Sequence, residues 1–443
     1  MHLHDPATIL RAPLPTTIAP VHKSLLGNGL RVVTVELPHL HAGVVAAYVR
    51  AGSRHESAPQ NGVSHFLEHL FFRGSEGYPE GRAMNALVED VGGSLNGVTT
   101  RDHGYYFTPV HPARLEVPFA VLGDMLARPL FKEIELEREV ILEEILDEVD
   151  QDGRDIDVDN LSKRALFGDH PLALKIAGSR ESVQALSEED LRAHHQRAYG
   201  ARNLVIACAG PVRHAQILEL AERSFGALRP GVALLDAPAL AAFSGPRLVA
   251  VDHRESQMEL QLSFPGPPEE HPDFPALRVI KRILDDGLAS RLQIALVERT
   301  ALAYSVGAGM DGFTDCSVFE IGCACAPKKA PQALEELVRL LDELRGTPVP
   351  ADELERAKKK SRMWLEFSLD APSEMLGWYG GGELLRPPAE TFEEWLARIE
   401  AVTAADVQRV ARSIFRREAL VAVAVGPLAG IEKKLQKVVD GAL

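Results

Sequence analysis

The chain has 443 residues, with 48 Lys and Arg against 63 Asp and Glu and a formal net charge of -15. Hydrophobic residues make up 46% and charged residues 25%, the composition of a globular protein of about two to four domains, which excludes disordered, collagenous and disulfide-scaffold chains. The acidic balance argues against nucleic acid or an anionic membrane as the main partner, because both reward clustered Lys and Arg.

At the N-terminus, Met1-His2-Leu3-His4-Asp5-Pro6 shows no basic segment followed by an apolar one, so no secretory signal is read there. Helices are expected over 62–73, 114–127, 133–150, 187–199, 213–226, 272–284, 331–345, 351–369 and 403–415, alternating with β-branched, strand-like runs. The longest apolar runs, around 204–212 and 420–428, fall far short of the ~20 residues that cross a bilayer. The four cysteines contain no C-x-x-C pair, and Cys323 and Cys325 read as small buried hydrophobes in a strand. A reducing cytoplasm is the expected compartment. Gly380-Gly381-Gly382 reads as a loop between helices.

A repeat organises the chain. Residues 187–212 match 403–428 at an offset of 216, pairing Ser187 with Thr403, Asp190 with Asp406 and Gly210-Pro211 with Gly426-Pro427. Each copy opens with a Ser or Thr N-cap and an acid at the third helical position, akin to a capping box. The same offset lays Arg31–Glu36 against Arg247–Asp252. The expectation is an α+β protein of two homologous sandwich halves, mostly antiparallel sheet with helices packed on it: residues 1–230, a linker over 231–246, and 247–443.

The sharpest chemical signal is His65-Phe66-Leu67-Glu68-His69. On a helix His65 and His69 stand one turn apart and Glu68 beside them, all within about 100° of arc, while Val63, Leu67, Leu70 and Phe71 fill the opposite side. Two imidazoles on one face can share a metal ion, and a catalytic zinc needs a third protein ligand. The best source is the acidic helix after residue 136, where Val140, Ile141, Ile145 and Val149 form an apolar stripe and Glu137 and Glu144 stack two turns apart. Glu144 as ligand with Glu137 behind it fits this spacing, and Glu143, Asp147 and Glu148 compete. No H-x-x-E-H occurs in the second half, and aligning Glu137-Arg138 with Glu355-Arg356 puts Arg362 opposite Glu144.

H-F-L-E-H-L-F-F-R-G at 65–74, G-G-S-L-N-G at 92–97, L-E-R-E-V-I-L-E-E-I at 136–145 and L-A-Y-S-V at 302–306 together resemble the pitrilysin family of inverted-motif zinc peptidases, which includes insulysin and mitochondrial processing peptidase. The length resembles the half-size members, whose chains pair around a chamber. The resemblance implies one zinc ion per chain held by His65, His69 and Glu144, with Glu68 as the base and Glu137 as the family's second acid. It implies that the strand near Asn96 takes an extended peptide or unfolded protein segment, and that Tyr304 contacts substrate. Family members carry an Arg seven residues before that Tyr; here Val297 stands there, with Arg299 two positions off. The expected reading is therefore the zinc subunit of a heterodimer whose homologous partner supplies an Arg/Tyr pair. The alternatives are a self-sufficient homodimer and a structural subunit that kept the fold.

Overall fold

The computed structural model describes residues 19–239 and 245–443. The signal-peptide reading at 1–6 and residues 240–244 of the expected linker lie outside them. The strands are β1 (Val21–Leu25), β2 (Arg31–Glu36), β3 (Gly43–Val49), β4 (Asn96–Thr99), β5 (Gly104–Val110), β6 (Leu204–Gly210), β7 (Arg247–Asp252), β8 (Met258–Gly266), β9 (Ala303–Gly312), β10 (Ser317–Cys325) and β11 (Val421–Gly426). Six helices carry the argument below: α1 (Val63–Phe71), α2 (Ile134–Ile145), α3 (Val158–Phe167), α4 (Glu188–Ala198), α5 (Phe274–Leu284) and α6 (Ala404–Ile414).

Two mixed sheets form, with strand orders β1-β2-β6-β3-β5-β4 and β7-β11-β8-β10-β9. Leaving out β1, the order is the same in both. Each has one parallel pair, β2 with β6 and β7 with β11, among antiparallel neighbours. Arg31 pairs with Val205 in the first sheet and Arg247 with Val421 in the second, so the sequence offset of 216 is also an offset in strand register. β3 and β6 are buried along their whole length, which explains their unbroken apolar sequences. Helices α4 and α6 both open on capping boxes, Ser187 with Asp190 and Thr403 with Asp406. The two-half α+β architecture expected from the repeat is the one observed.

The chain forms two compact units. The first takes the chain up to Ile141, with Ile176–Leu235 and Lys359–Glu394; the second takes Leu142–Lys175, Asp236–Lys358 and Trp395–Leu443. Each sheet is thus covered partly by a distant segment. On the first, Gly377–Gly381 forms a π-helical turn that runs into the helix Gly382–Leu385. This corrects the loop reading of the triple glycine. The glycines are there because a Cβ on Gly380 would fall 2.6 Å from Ala207 Cβ and 2.8 Å from the Tyr48 ring; the helix can touch the sheet only without a side chain at that point. On the second sheet, α3 packs across β7, β8 and β11. Among the described residues no helix is long and apolar enough to cross a membrane.

Candidate metal centre

Helix α1 is fixed before it can present any chemistry. Its buried face is Val63, Phe66, Leu67, Leu70 and Phe71, each at most 1% exposed. At its start Gly62 has φ +95, and a Cβ there would meet the Ala177 carbonyl at 2.7 Å, so glycine is required. The buried Glu56 carboxylate accepts from the backbone N–H groups of Gly62 (2.8 Å) and Ser64 (2.9 Å) and from the Asn61 amide (2.9 Å). An acid at a helix N-terminus satisfies the unpaired N–H groups there and complements the helix dipole. Burial pushes the pKa of Glu56 up, against the opposing effect of those hydrogen bonds. The Ser64 hydroxyl pairs with His194 Nε2 at 3.0 Å.

The opposite face of α1 carries His65, Glu68 and His69, all half-buried. The two imidazoles meet edge-on, with ring centroids 4.7 Å apart. Burial, with a smaller contribution from the charge of His69, lowers the pKa of His65 to about 4, keeping it neutral as a metal ligand must be. One ligand atom from each of His65, His69 and Glu144 lies within 4.8 Å of the others. Two imidazoles and a carboxylate are the donor set of many catalytic zinc sites, which leave a fourth position for water. The residues fit the metal.

Helix α2 supplies Glu144 and, two turns earlier, Glu137. Glu137 is 3% exposed and accepts from His69 Nδ1 at 2.9 Å. A carboxylate behind a histidine fixes its tautomer and turns the other nitrogen toward the metal. Arg73, just beyond α1, pairs with Glu137 and lies 3.3 Å from Glu133. Helix α2 is anchored by the buried Arg138 guanidinium, which donates to the Val183 carbonyl and to that of Leu186 at 2.9 Å. Drawing Glu137 and Arg138 inward turns the helix, so Val140, expected in the apolar stripe, is 38% exposed while Ile141 and Ile145 are buried. Two of the competing acids, Asp147 and Glu148, are placed otherwise. Helix α2 ends at Ile145, which takes Asp147 and Glu148 off its register, and Glu148 engages Asn160 (3.1 Å) and Lys175 (3.5 Å).

Strand β4 closes the site on another side. Asn96-Gly97, a pair that also reads as a hairpin turn, instead begins this strand, which is the last in its sheet and therefore has an open edge. The Asn96 amide donates to the Ser94 carbonyl at 2.8 Å. Thr99 Oγ1 donates to Glu68 Oε2 at 2.5 Å. A cleft of about 550 Å3 opens beside Glu68 and His69, lined also by Phe72, Arg73, Asn85 and Lys132. Tyr304 belongs to the second unit, where it is 67% exposed on the edge strand β9. Val297 lies in a π-helical turn, Gln293–Glu298, and Arg299 follows it, exposed. Glu56, Arg73 and Thr99 went unseen in the sequence because their roles depend on contacts between separate elements.

Family models match most of the chain. "Insulinase (Peptidase family M16)" covers residues 31–180 and "Peptidase M16 inactive domain" covers 185–361. A Mycobacterium bovis protein named as a zinc protease is 33% identical over 96% of this chain and 95% of its own. The Schizosaccharomyces pombe protein named as probable mitochondrial-processing peptidase subunit beta is 29% identical over 97% of this chain and 96% of its own. The crystal structure of a Helicobacter pylori protease superposes with a TM-score of 0.85 at 23% identity, covering 93% of this chain and all of that one, a likeness of fold. With full-length similarity to a named zinc protease and both halves matched by family models, this chain belongs to the M16, or insulinase, family of peptidases.

Proposed function

We propose that the chain is a zinc-dependent endopeptidase subunit that hydrolyses peptides or unfolded polypeptide segments in a chamber enclosed by paired subunits. The observation that carries this reading is the convergence of His65, His69 and Glu144 within 4.8 Å, with Glu68 on the same helix face. Those three residues would hold one zinc ion per chain, which when bound would polarise a scissile carbonyl and make a water easier to deprotonate. Glu68 takes the water proton at its carboxylate and returns it to the leaving amine. Glu137 holds His69 in the tautomer that presents Nε2. A substrate backbone pairs with the open edge at β4, near Asn96, where main-chain groups bind any sequence in extended form. Tyr304 is a second substrate contact. Free cysteines are consistent with work in the cytoplasm, and no nucleic acid or membrane takes part.

The test is cleavage of a mixed peptide pool by the purified, zinc-loaded chain, with a chelated sample as control. Chelator-sensitive cleavage supports the peptidase; zinc uptake without any cleavage, alone or with a homologous subunit added, refutes it. A more specific reading is the zinc subunit of a heterodimer whose partner supplies an Arg/Tyr pair. Val297, standing where the family Arg is expected, favours it, as does similarity to a relative named as a processing-peptidase subunit. A fully active homodimer would refute that version and leave the peptidase standing.

A further inference from the structure

Strand β4 and helix α1 touch at the base itself. Residues two apart in a strand share a face, so Gly97 and Thr99 both point to α1. A Cβ on Gly97 would lie 2.9 Å from Glu68 Cγ and 3.0 Å from Glu68 Oε1. Thr99 Oγ1 donates to Glu68 Oε2 at 2.5 Å, a short, charge-assisted bond of the stronger kind. Thr99 and Glu68 are both half-buried, so water competes only partly for the bond. Strand β4 is itself held from one side only, by β5, with Thr99 opposite Gly104 and Gly97 opposite Tyr106.

Resting on the peptidase reading above, we infer that Thr99 is a positioning residue for Glu68, so that the strand offered to substrate also sets the orientation of the base. Glutamate has three side-chain torsions, and a carboxylate at the end of them is placed only if something grips it. Thr99 grips one oxygen, and the close approach at Gly97 leaves the side chain little room to swing toward the strand. A peptide that pairs with β4 stiffens the strand that carries Thr99. Docking and proton transfer are then joined through one hydroxyl.

The test uses two variants of the full chain. Thr99→Val keeps the shape and removes the donor; Thr99→Ser keeps the donor. Loss of one hydrogen bond to a charged group predicts a fall in kcat of roughly tenfold to a hundredfold for Thr99→Val, with KM, zinc content and melting temperature close to those of the unaltered chain. Thr99→Ser is expected to recover most of kcat. A metal-free crystal structure of Thr99→Val should show the Glu68 carboxylate turned from its place, and that of Thr99→Ser should not. An unmoved carboxylate in Thr99→Val, or an undiminished kcat, would overturn the inference. If the unaltered chain cleaves no peptide, the peptidase reading falls, while the two crystal structures still decide whether Thr99 positions Glu68.

Discussion

In the second unit Asp159, Asp311 and Glu320 bring ligand atoms within 4.8 Å of one another, as His65, His69 and Glu144 do at the metal centre. The second cluster is already satisfied. Lys163 Nζ lies 2.5 Å from Asp159, 2.5 Å from Asp311 and 2.8 Å from Glu320, and its side chain is fully buried. Burial pulls the Lys163 pKa down, but the charges of Glu320, Asp159 and Asp311 outweigh it and hold the ammonium above lysine's ordinary value. At the metal centre the only acid in the ligand set is Glu144, and the arginine nearby, Arg73, is spent on Glu133 and Glu137. Converging donors therefore do not by themselves mark a metal site. One cluster contains its own cation and holds the fold together, while the other is the one proposed above to take a zinc ion.

The contrast can be broken by substitution. Glu68→Gln should cut peptide turnover by roughly a thousandfold, within the span of general-base effects, and keep one zinc per chain; parallel rate and metal-content measurements check this. Lys163→Met should leave that zinc content unchanged but destabilise the protein by about 1–3 kcal/mol, because it leaves three half-buried carboxylates without their shared cation; urea denaturation checks the loss. If Lys163→Met gained a second zinc without losing stability, the two clusters would be alike after all. Glu137→Gln should weaken zinc binding by about 10–100-fold, read by chelator competition, and leave the fold intact.

Acid should destabilise the first unit progressively. Burial, assisted by nearby positive charge, lowers the pKa of His194 to about 3, and burial above all lowers His103 and His195 to about 4. These side chains stay neutral in the folded chain, whereas the unfolded chain takes up their protons near pH 6.5. Below that pH the unfolded state binds more protons, so stability falls as pH drops from about 6.5 toward 4, by up to ~1.4 kcal/mol per pH unit for each group. Denaturation midpoints at pH 7, 6 and 5 would show it, and a flat profile would refute it.

Much of this was legible in sequence because periodicity reports on faces. The helical spacing of His65, Glu68 and His69 set a half-buried polar face of α1 apart from its buried apolar face, and the Ser187 and Thr403 capping boxes marked true helix starts. What escaped was whatever depends on a partner far along the chain. Arg138 turns α2 through the Val183 and Leu186 carbonyls, so the apolar stripe that included Val140 misjudged its exposed face. The triple glycine looked like a loop because its reason, the Tyr48 ring, lies more than three hundred residues away. The lack of a second H-x-x-E-H in the other half was plain to read.

The covering of the first sheet by residues 359–394 sets a schedule for biosynthesis. When Leu235 leaves the ribosome every strand of that sheet has been made, yet the face around Tyr48 and Ala207 still waits for Gly380. At about 5–20 residues per second, translation takes on the order of 10–30 s to deliver the missing segment. For that interval the nascent chain presents a finished but uncovered apolar sheet, the state in which a holding chaperone is of most use. The same ordering means that a gene cut between the halves would give two polypeptides, each lacking a lid for its sheet until they meet.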